Sequence, residues 1–290
     1  MRLLVTGSDG LVGTNILPIL EKEFEVVPFV ESRWDITDRG QGEAVIEQVA
    51  PDALINLAAI TDVDGCEDKK ELAFRVNAEA PGILAEICAR RNIAMLHFST
   101  DYVFDGLKGS PYTEDDATNP LSIYGRSKRA GEEKVIAAHP AAVIIRTEWI
   151  YGDGGESFIT KVVRAARERG TVEVVDDQSG APTYAKDLAR PVAALIKKQG
   201  KGIFHLTNGG SCTWYEFARH VFSALNIDVT CKRVSSDDLK RKAMRPRYSV
   251  LDCTRVTTFT SIRMRGWQEA VEEYLRYNES NILFRRTPPA

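Results

Sequence analysis

The sequence predicts an α/β protein, a doubly wound parallel sheet with a smaller α/β lobe attached. Three observations lead there. Short runs of Val, Ile and Leu alternate with helical windows through the first half of the chain. Those runs are continuous in hydrophobicity, as parallel strands covered on both faces require. A glycine-rich turn, "LLVTGSDGLVG", joins the first run to the first helical window.

The expected strands are Leu3–Thr6, Glu25–Val30, Ala53–Leu57, Ile93–Phe98 and Ala142–Arg146. Between them lie helical windows at Leu11–Lys22, Gly42–Val49, Glu71–Arg91 and Ser122–Ala138. Strand, helix, strand in repetition means right-handed crossovers and a parallel sheet. The second half is less regular. It offers a helix at Phe158–Arg169, a strand at Val172–Val175, a helix at Lys186–Lys197 and a strand at Ile203–Leu206. "TWYE" reads as a capping box, Thr213 to Glu216, opening a helix that runs to Leu225. A last helix is expected near Trp267–Tyr277, with the tail "NESNILFRRTPPA" fraying in part.

Composition narrows the function classes. The chain has 290 residues, enough for one large domain or two interleaved lobes. With 43% hydrophobic and 27% charged residues it has the balance of an ordinary soluble protein. A net charge of −3 gives no pull toward nucleic acid or an anionic membrane. No run approaches the ~18 apolar residues of a membrane span, and no secretory leader pattern is present. The five cysteines are odd in number and contain no C-x-x-C, so reduced thiols in a cytoplasmic protein are expected. The four histidines have no metal-ligand spacing, so no metal is expected.

Gly7, Gly10 and Gly13 follow the first strand and open the first helix. That is the context of a Rossmann-type dinucleotide site. Glycines let the backbone approach a pyrophosphate at the positive end of a helix. Asp9, Leu11 and Val12 share this turn. An acidic residue about 20 positions further on would hold a ribose hydroxyl, and Glu31 stands there. Arg33 would instead meet the 2′-phosphate of NADPH, so NADPH is favoured with NADH tolerated. Asp35 and Ile36 would lie near the adenine, or serve as a turn acid and a core aliphatic. Residues 1–148 would form the dinucleotide-binding domain, with about 183–207 returning to it. Residues 149–182 and 208–290 would mainly form a substrate-binding lobe.

Ser99 and Thr100 end the fourth strand, at the edge where open α/β sheets bind ligands. In "PLSIYGRSKRAGEE", Tyr124 and Lys128 are four residues apart and share a helix face. Chance produces this spacing too readily for it to count alone. Beside the strand-end hydroxyls and the glycine turn it acquires meaning. A phenol can protonate the alkoxide formed when hydride reaches a ketone. A nearby ammonium would lower the phenol's pKa.

The glycine turn and "YGRSK" resemble the extended short-chain dehydrogenase/reductases. Over nearly the whole length the chain is similar to the dTDP-4-dehydrorhamnose reductase family. The likeness rests on "NLAAITDVDGCE", "VNAEAPGILA", "FSTDYVFDG", "NPLSIYGRSKRAGE", "IIRTEWIYG", "DQSGAPTYAKDLA", "IFHLTNGG" and "RPRYSVLD". It implies a Thr100, Tyr124, Lys128 catalytic triad. It puts Asn77 and Ser99 near the nicotinamide end, Leu57, Ala58 and Ala59 along the cofactor, and Thr61 and Val63 on the facing wall. Asp101, Tyr102 and Trp149 would contact the sugar. Gln178, Pro182 and Thr183 would shape the nucleotide pocket, and Arg245 would meet the diphosphate. The implied partner is a dTDP-sugar; a homodimer is allowed. Leu11 and Ile60 depart from the Gln and Tyr the family often has there. Two other readings stay open. One is a different nucleotide-sugar reductase or epimerase on this fold. The other is a non-catalytic subunit, since the regulatory subunit of methionine adenosyltransferase resembles the same family.

Overall fold

The structure, a computed structural model, describes residues 1–284. It begins with β1 (Arg2–Thr6), α1 (Leu11–Leu20), β2 (Glu25–Phe29), α2 (Arg39–Val49) and β3 (Ala53–Asn56). Leu3, Leu4 and Val5 of β1 are wholly buried. Each contributes about 1.5–3 kcal/mol by leaving water. β2 tolerates Pro28 because it is an edge strand, paired only with β1. Asp38 caps α2 by accepting from the Gln41 N–H at 3.0 Å.

Next come α3 (Val63–Asp68), α4 (Lys70–Phe74), a π-helical turn over Arg75–Glu79, and α5 (Ala80–Arg90). The single helix expected over Glu71–Arg91 is thus interrupted. Pro81 accounts for the break: it has no N–H for the Asn77 carbonyl four residues back, and its ring crowds that oxygen. β4 (Ala94–Thr100) runs two residues past its expected end. Ser99 and Thr100 therefore pair with Arg146 and Thr147 as strand residues. Then follow α6 (Ile123–Ala138) and β5 (Val143–Thr147).

The second half contributes β6 (Ile150–Tyr151), α7 (Phe158–Arg169), β7 (Thr171–Val175), β8 (Ser179–Gly180), β9 (Thr183–Tyr184), α8 (Ala189–Lys197) and β10 (Gly202–His205). After these come β11 (Cys212–Thr213), α9 (Trp214–Ala224), β12 (Thr230–Val234), α10 (Thr254–Thr260) and α11 (Trp267–Phe284). The Thr213–Glu216 capping box is present at α9. α11 extends beyond the expected Tyr277, and residues 285–290 of the tail expected to fray lie outside the described residues.

The central sheet has six strands in the order β10-β5-β4-β3-β1-β2, all parallel. The order reverses at β1 and β3, the switch point where such sheets open a crevice. One core packs α1 and α8 on one sheet face, and another packs α2 and α5 on the other. A third core, with Tyr151, Val163, Phe217 and Tyr274, belongs to α7, α9, α11 and the parallel β7–β12 pair. No described helix is long and apolar enough to cross a membrane.

Candidate active site

The glycine turn sits at the switch point. Gly7 has φ +62°, and a Cβ there would lie 2.7 Å from the Ala58 nitrogen. Only glycine allows that turn to close over the end of β3. The crevice beside it has a volume of about 300 Å³. Gly7, Asp9, Gly10, Glu31, Asp35, Ile36, Leu57, Ala58 and Ala59 all reach it, as expected of a dinucleotide groove. The narrow, backbone-lined floor at a helix start suits a pyrophosphate.

Several expected residues stand at its rim or behind it. Leu11 and Val12 are half-buried, and Val12 packs into the core beneath α1. Arg33 is exposed and lies over the Phe29 ring at 4.9 Å. Asp35 accepts from Thr37 N and Oγ1 at 2.9 and 2.8 Å, so it is also a turn acid. Ile36 belongs to the core as well as to the groove. Thr61 is exposed, and Val63 opens α3. Trp34, which sequence reading missed, lines the groove, packs edge-on against Phe29 and keeps a buried indole N–H without a partner. Its signal was an aromatic residue between the two charged candidates.

Asn77 is fully buried rather than open to the groove. Its amide holds both polar groups of Ile60, with Ile60 N to Oδ1 at 2.9 Å and Nδ2 to Ile60 O at 3.0 Å. Nδ2 also donates to Ser127 Oγ at 3.1 Å. Asn77 therefore bears on the groove through the Ile60 backbone and ties that wall to α6.

α6 approaches the end of β4 very closely. A Cβ on Gly125 would sit 2.2 Å from the Tyr102 carbonyl, and one on Gly131 would sit 2.1 Å from the Asn77 carbonyl. Ser122 caps the helix at the Gly125 N–H, 3.1 Å away. This contact brings Tyr124 against Tyr102, ring centroids 5.8 Å apart. The Thr100 hydroxyl, which donates to Asp101 Oδ1 at 3.0 Å, lies near enough to the Tyr124 phenol to act on its acidity. Burial pushes that phenol above its ordinary value, while Thr100 draws it down. The phenol is thus an acid that holds its proton at neutral pH.

Lys128 is buried one turn beyond Tyr124 on α6. Its ammonium donates to the Phe98 carbonyl at 2.6 Å. Burial draws Lys128 down to about 8, against an opposing pull from Glu132. Glu132 is itself clamped by Arg146, at 2.8 and 2.7 Å. Ser99 is buried, and its hydroxyl has no partner.

Across the cleft, Asp64, Phe158, Lys161, Trp214, Arg241 and Arg245 line a pocket of about 770 Å³. Arg245 holds Asp64 in a two-pronged contact at 3.1 and 2.7 Å. That pairing keeps the Asp64 carboxyl at about 2. Trp149 does not line this pocket. It has φ +47° and stacks on Trp214 with centroids 3.5 Å apart. Gln178, Pro182 and Thr183 are buried behind it. Gln178 donates to Ser236 Oγ at 2.7 Å, and Thr183 donates to Ala181 O at 2.9 Å. Among the described residues, no three His, Cys, Asp or Glu side chains gather as metal ligands would.

A glycine turn at the switch point, with Thr100, Tyr124 and Lys128 at the neighbouring strand end, defines an extended short-chain dehydrogenase/reductase fold. The family model for the RmlD substrate binding domain matches residues 1–279, and the chain belongs to that family. It is 42% identical over 277 residues to a dTDP-4-keto-6-deoxy-D-glucose reductase of Streptomyces niveus, covering 94% of this chain and 96% of the relative. A crystal structure of a dTDP-4-dehydrorhamnose reductase from Clostridium acetobutylicum matches with TM-score 0.93 at 37% identity, over 96% of this chain and 100% of the other. The Bacillus anthracis dTDP-4-dehydrorhamnose reductase, solved in complex with NADP, matches with TM-score 0.92 at 34% identity, over 95% and 99%.

Proposed function

We propose that this protein reduces the 4-keto group of dTDP-4-dehydro-L-rhamnose, giving dTDP-L-rhamnose. The observation that carries the reading is the close packing of α6 on the end of β4, which sets Tyr124 beside Tyr102 and Thr100 at the sheet edge that also holds the glycine turn. The names of the relatives support the same chemistry. NADPH, when bound, supplies the hydride. Gly7 and Gly10 would hold its pyrophosphate, Glu31 and Arg33 its adenosine ribose end, and Lys128 its nicotinamide ribose.

Tyr124 donates its proton to the oxygen that was the ketone. Thr100 steadies that oxygen and the departing phenol proton with its hydroxyl. Tyr102 would flank the sugar, with Trp149 backing the pocket through its stack on Trp214. Arg241 would meet the diphosphate as a forked donor, and Arg245 would join it by exchanging Asp64 for the diphosphate. Residues 1–148 and about 183–207 carry the cofactor. Residues 149–182 and 208–290 mainly carry the substrate, apart from α10, whose Val256 packs into the core beside α8, and the substrate is shielded from water between the lobes. Five unpaired cysteines support a cytoplasmic setting.

Replacing Tyr124 by Phe should leave NADPH affinity intact and lower turnover by at least ~10², the usual loss for a missing acid. Near-normal turnover would reject Tyr124 as the donor. Chromatography of the product with dTDP-sugar standards separates this reading from an epimerase. NADPH oxidation by the purified chain alone separates it from a regulatory subunit.

A further inference from the structure

The pocket across the cleft carries an acid on a wall where a diphosphate would meet cations. Lys161, Arg169, Arg241 and Arg245 line it, and Asp64 stands among them. Glu173, the other acid of the lining, is exposed. Asp64 takes the two-pronged grip of Arg245 described above, and Arg245 Nη1 also donates to the Ala243 carbonyl at 2.8 Å. The Ala243 N–H in turn donates to Asp64 Oδ1 at 2.9 Å. The fork that would read a diphosphate is thus already filled by a carboxylate of this chain. Arg241, by contrast, has no ion-pair partner among the described residues.

The two partners belong to different parts of the fold. Asp64 is on α3, which is held in place from both sides. Asp62 caps it at the Gly65 N–H, 3.0 Å away, and Glu67 accepts from the Ile123 N–H at the start of α6 at 2.8 Å. Arg245 ends segment 239–245, which contains no helix or strand. That segment is anchored upstream at Ser236, whose N–H and hydroxyl reach Asp177 Oδ1 at 2.9 and 2.6 Å. Downstream, Pro246 and Arg247 pack so closely on Gly106 that a Cβ there would lie 2.7 and 2.6 Å from them. Between those anchors it is tied to α3 by Asp64 and by a Lys242–Asp68 ion pair. The Lys242 and Asp68 side chains are 61% and 57% exposed, so that pair contributes little. The Arg245 side chain is only 11% exposed. Its contact with Asp64 is the principal clasp.

We propose that Asp64 is an internal competitor for the substrate: it occupies Arg245 in place of the diphosphate, clasps segment 239–245 to α3, and yields Arg245 to a ligand that carries a diphosphate. A diphosphate presents more charge and more acceptor oxygens than one carboxylate, and it meets Arg241 as well as Arg245. A ligand with the right base or sugar but no diphosphate leaves the clasp shut. Asp64 thereby lowers affinity and raises selectivity, the logic of building a penalty against the wrong ligand. Because Glu67 pins α3 to α6, the acid stays and Arg245 moves. The clasp does not open by titration near neutral pH, since Arg245 keeps the Asp64 carboxyl at about 2 and it is ionised at every higher pH. The inference rests on the proposed dTDP-sugar reading for the identity of the ligand.

The test is calorimetric titration of dTDP into the NADPH-saturated protein, for the wild type, Asp64→Asn, Arg245→Met and the double variant. Asn keeps an oxygen for the Ala243 N–H but offers Arg245 no charge. Thermal unfolding reports whether each variant is folded, and Asp64→Ala repeats the measurement with a second side chain. The dTDP Kd should fall about threefold to tenfold in Asp64→Asn, the range for freeing a partly exposed charged pair. In the Arg245→Met background the same replacement should change Kd by less than about twofold, since no fork remains to free. An unchanged or raised Kd in Asp64→Asn overturns the proposal and makes Asp64 a support for Arg245. Equal tightening with and without Arg245 also overturns it, because a general charge effect would then suffice. Wild type and variants that all fail to bind dTDP would overturn the dTDP-sugar reading and the clasp with it. Binding of dTDP without the gain in Asp64→Asn removes the clasp alone and leaves that reading standing.

Discussion

Replacing Gly7 by Ala sets two separate costs against the cofactor turn. The first is conformational. An L-residue held at φ +62° loses about 1–2 kcal/mol. The second is steric. The new methyl would stand 2.7 Å from Ala58 N and 2.8 Å from Ala58 Cα, where ordinary contact begins at 3.4 Å. Those atoms are backbone, and the Leu57 N–H beside them is tied to Thr6 O at 3.2 Å. No rotamer change relieves them, so β1 and β3 must part or the turn must flip. Overpacking of this kind costs about 1–3 kcal/mol more. Gly109→Ala isolates the first cost: its φ is +69°, and nothing lies within 4 Å of its added methyl. Urea denaturation and NADPH titration by fluorescence, run on both variants, make the comparison. Gly109→Ala should lose about 1–2 kcal/mol of stability and bind NADPH normally. Gly7→Ala should lose more, and its NADPH Kd should rise at least about tenfold, the equivalent of 1.4 kcal/mol. Identical behaviour of the two variants in both assays would refute the crowded-turn reasoning.

Other outcomes follow from charges buried near the site. Glu132→Gln strips the partner from Arg146, whose side chain is 2% exposed, and should cost about 3–5 kcal/mol in urea denaturation. An apolar double replacement of Glu132 and Arg146 should recover most of that loss. Lys128 is charged below about 8 and neutral above it, because burial disfavours its ammonium. NADPH affinity should therefore weaken as pH rises through that value, and Lys128→Met should bind weakly with no such dependence. Calorimetric titration at pH 6.5 and 9 distinguishes the two, and equal affinity at both pH values in the wild type would remove Lys128 from the cofactor site.

The sequence alone determined the alternation of elements, because strand and helix periods are local properties of the chain. Continuous apolar runs marked β1 and β3, and the spacing of glycines marked the turn that had to approach a backbone. The Thr213–Glu216 cap was readable for the same reason, since both partners lie within one helical turn. What the sequence could not decide depends on atoms distant along the chain. Nothing near Lys128 foretells that its ammonium donates to the Phe98 carbonyl, 30 positions back. Asn77 looks like a groove residue until the Ile60 backbone closes on both ends of its amide. Glu148 meets Ser249 and Leu251, 101 and 103 positions further on, only because that segment folds back on it. Burial and partnership set what a carboxyl, an ammonium or a phenol does, and both are supplied by tertiary packing.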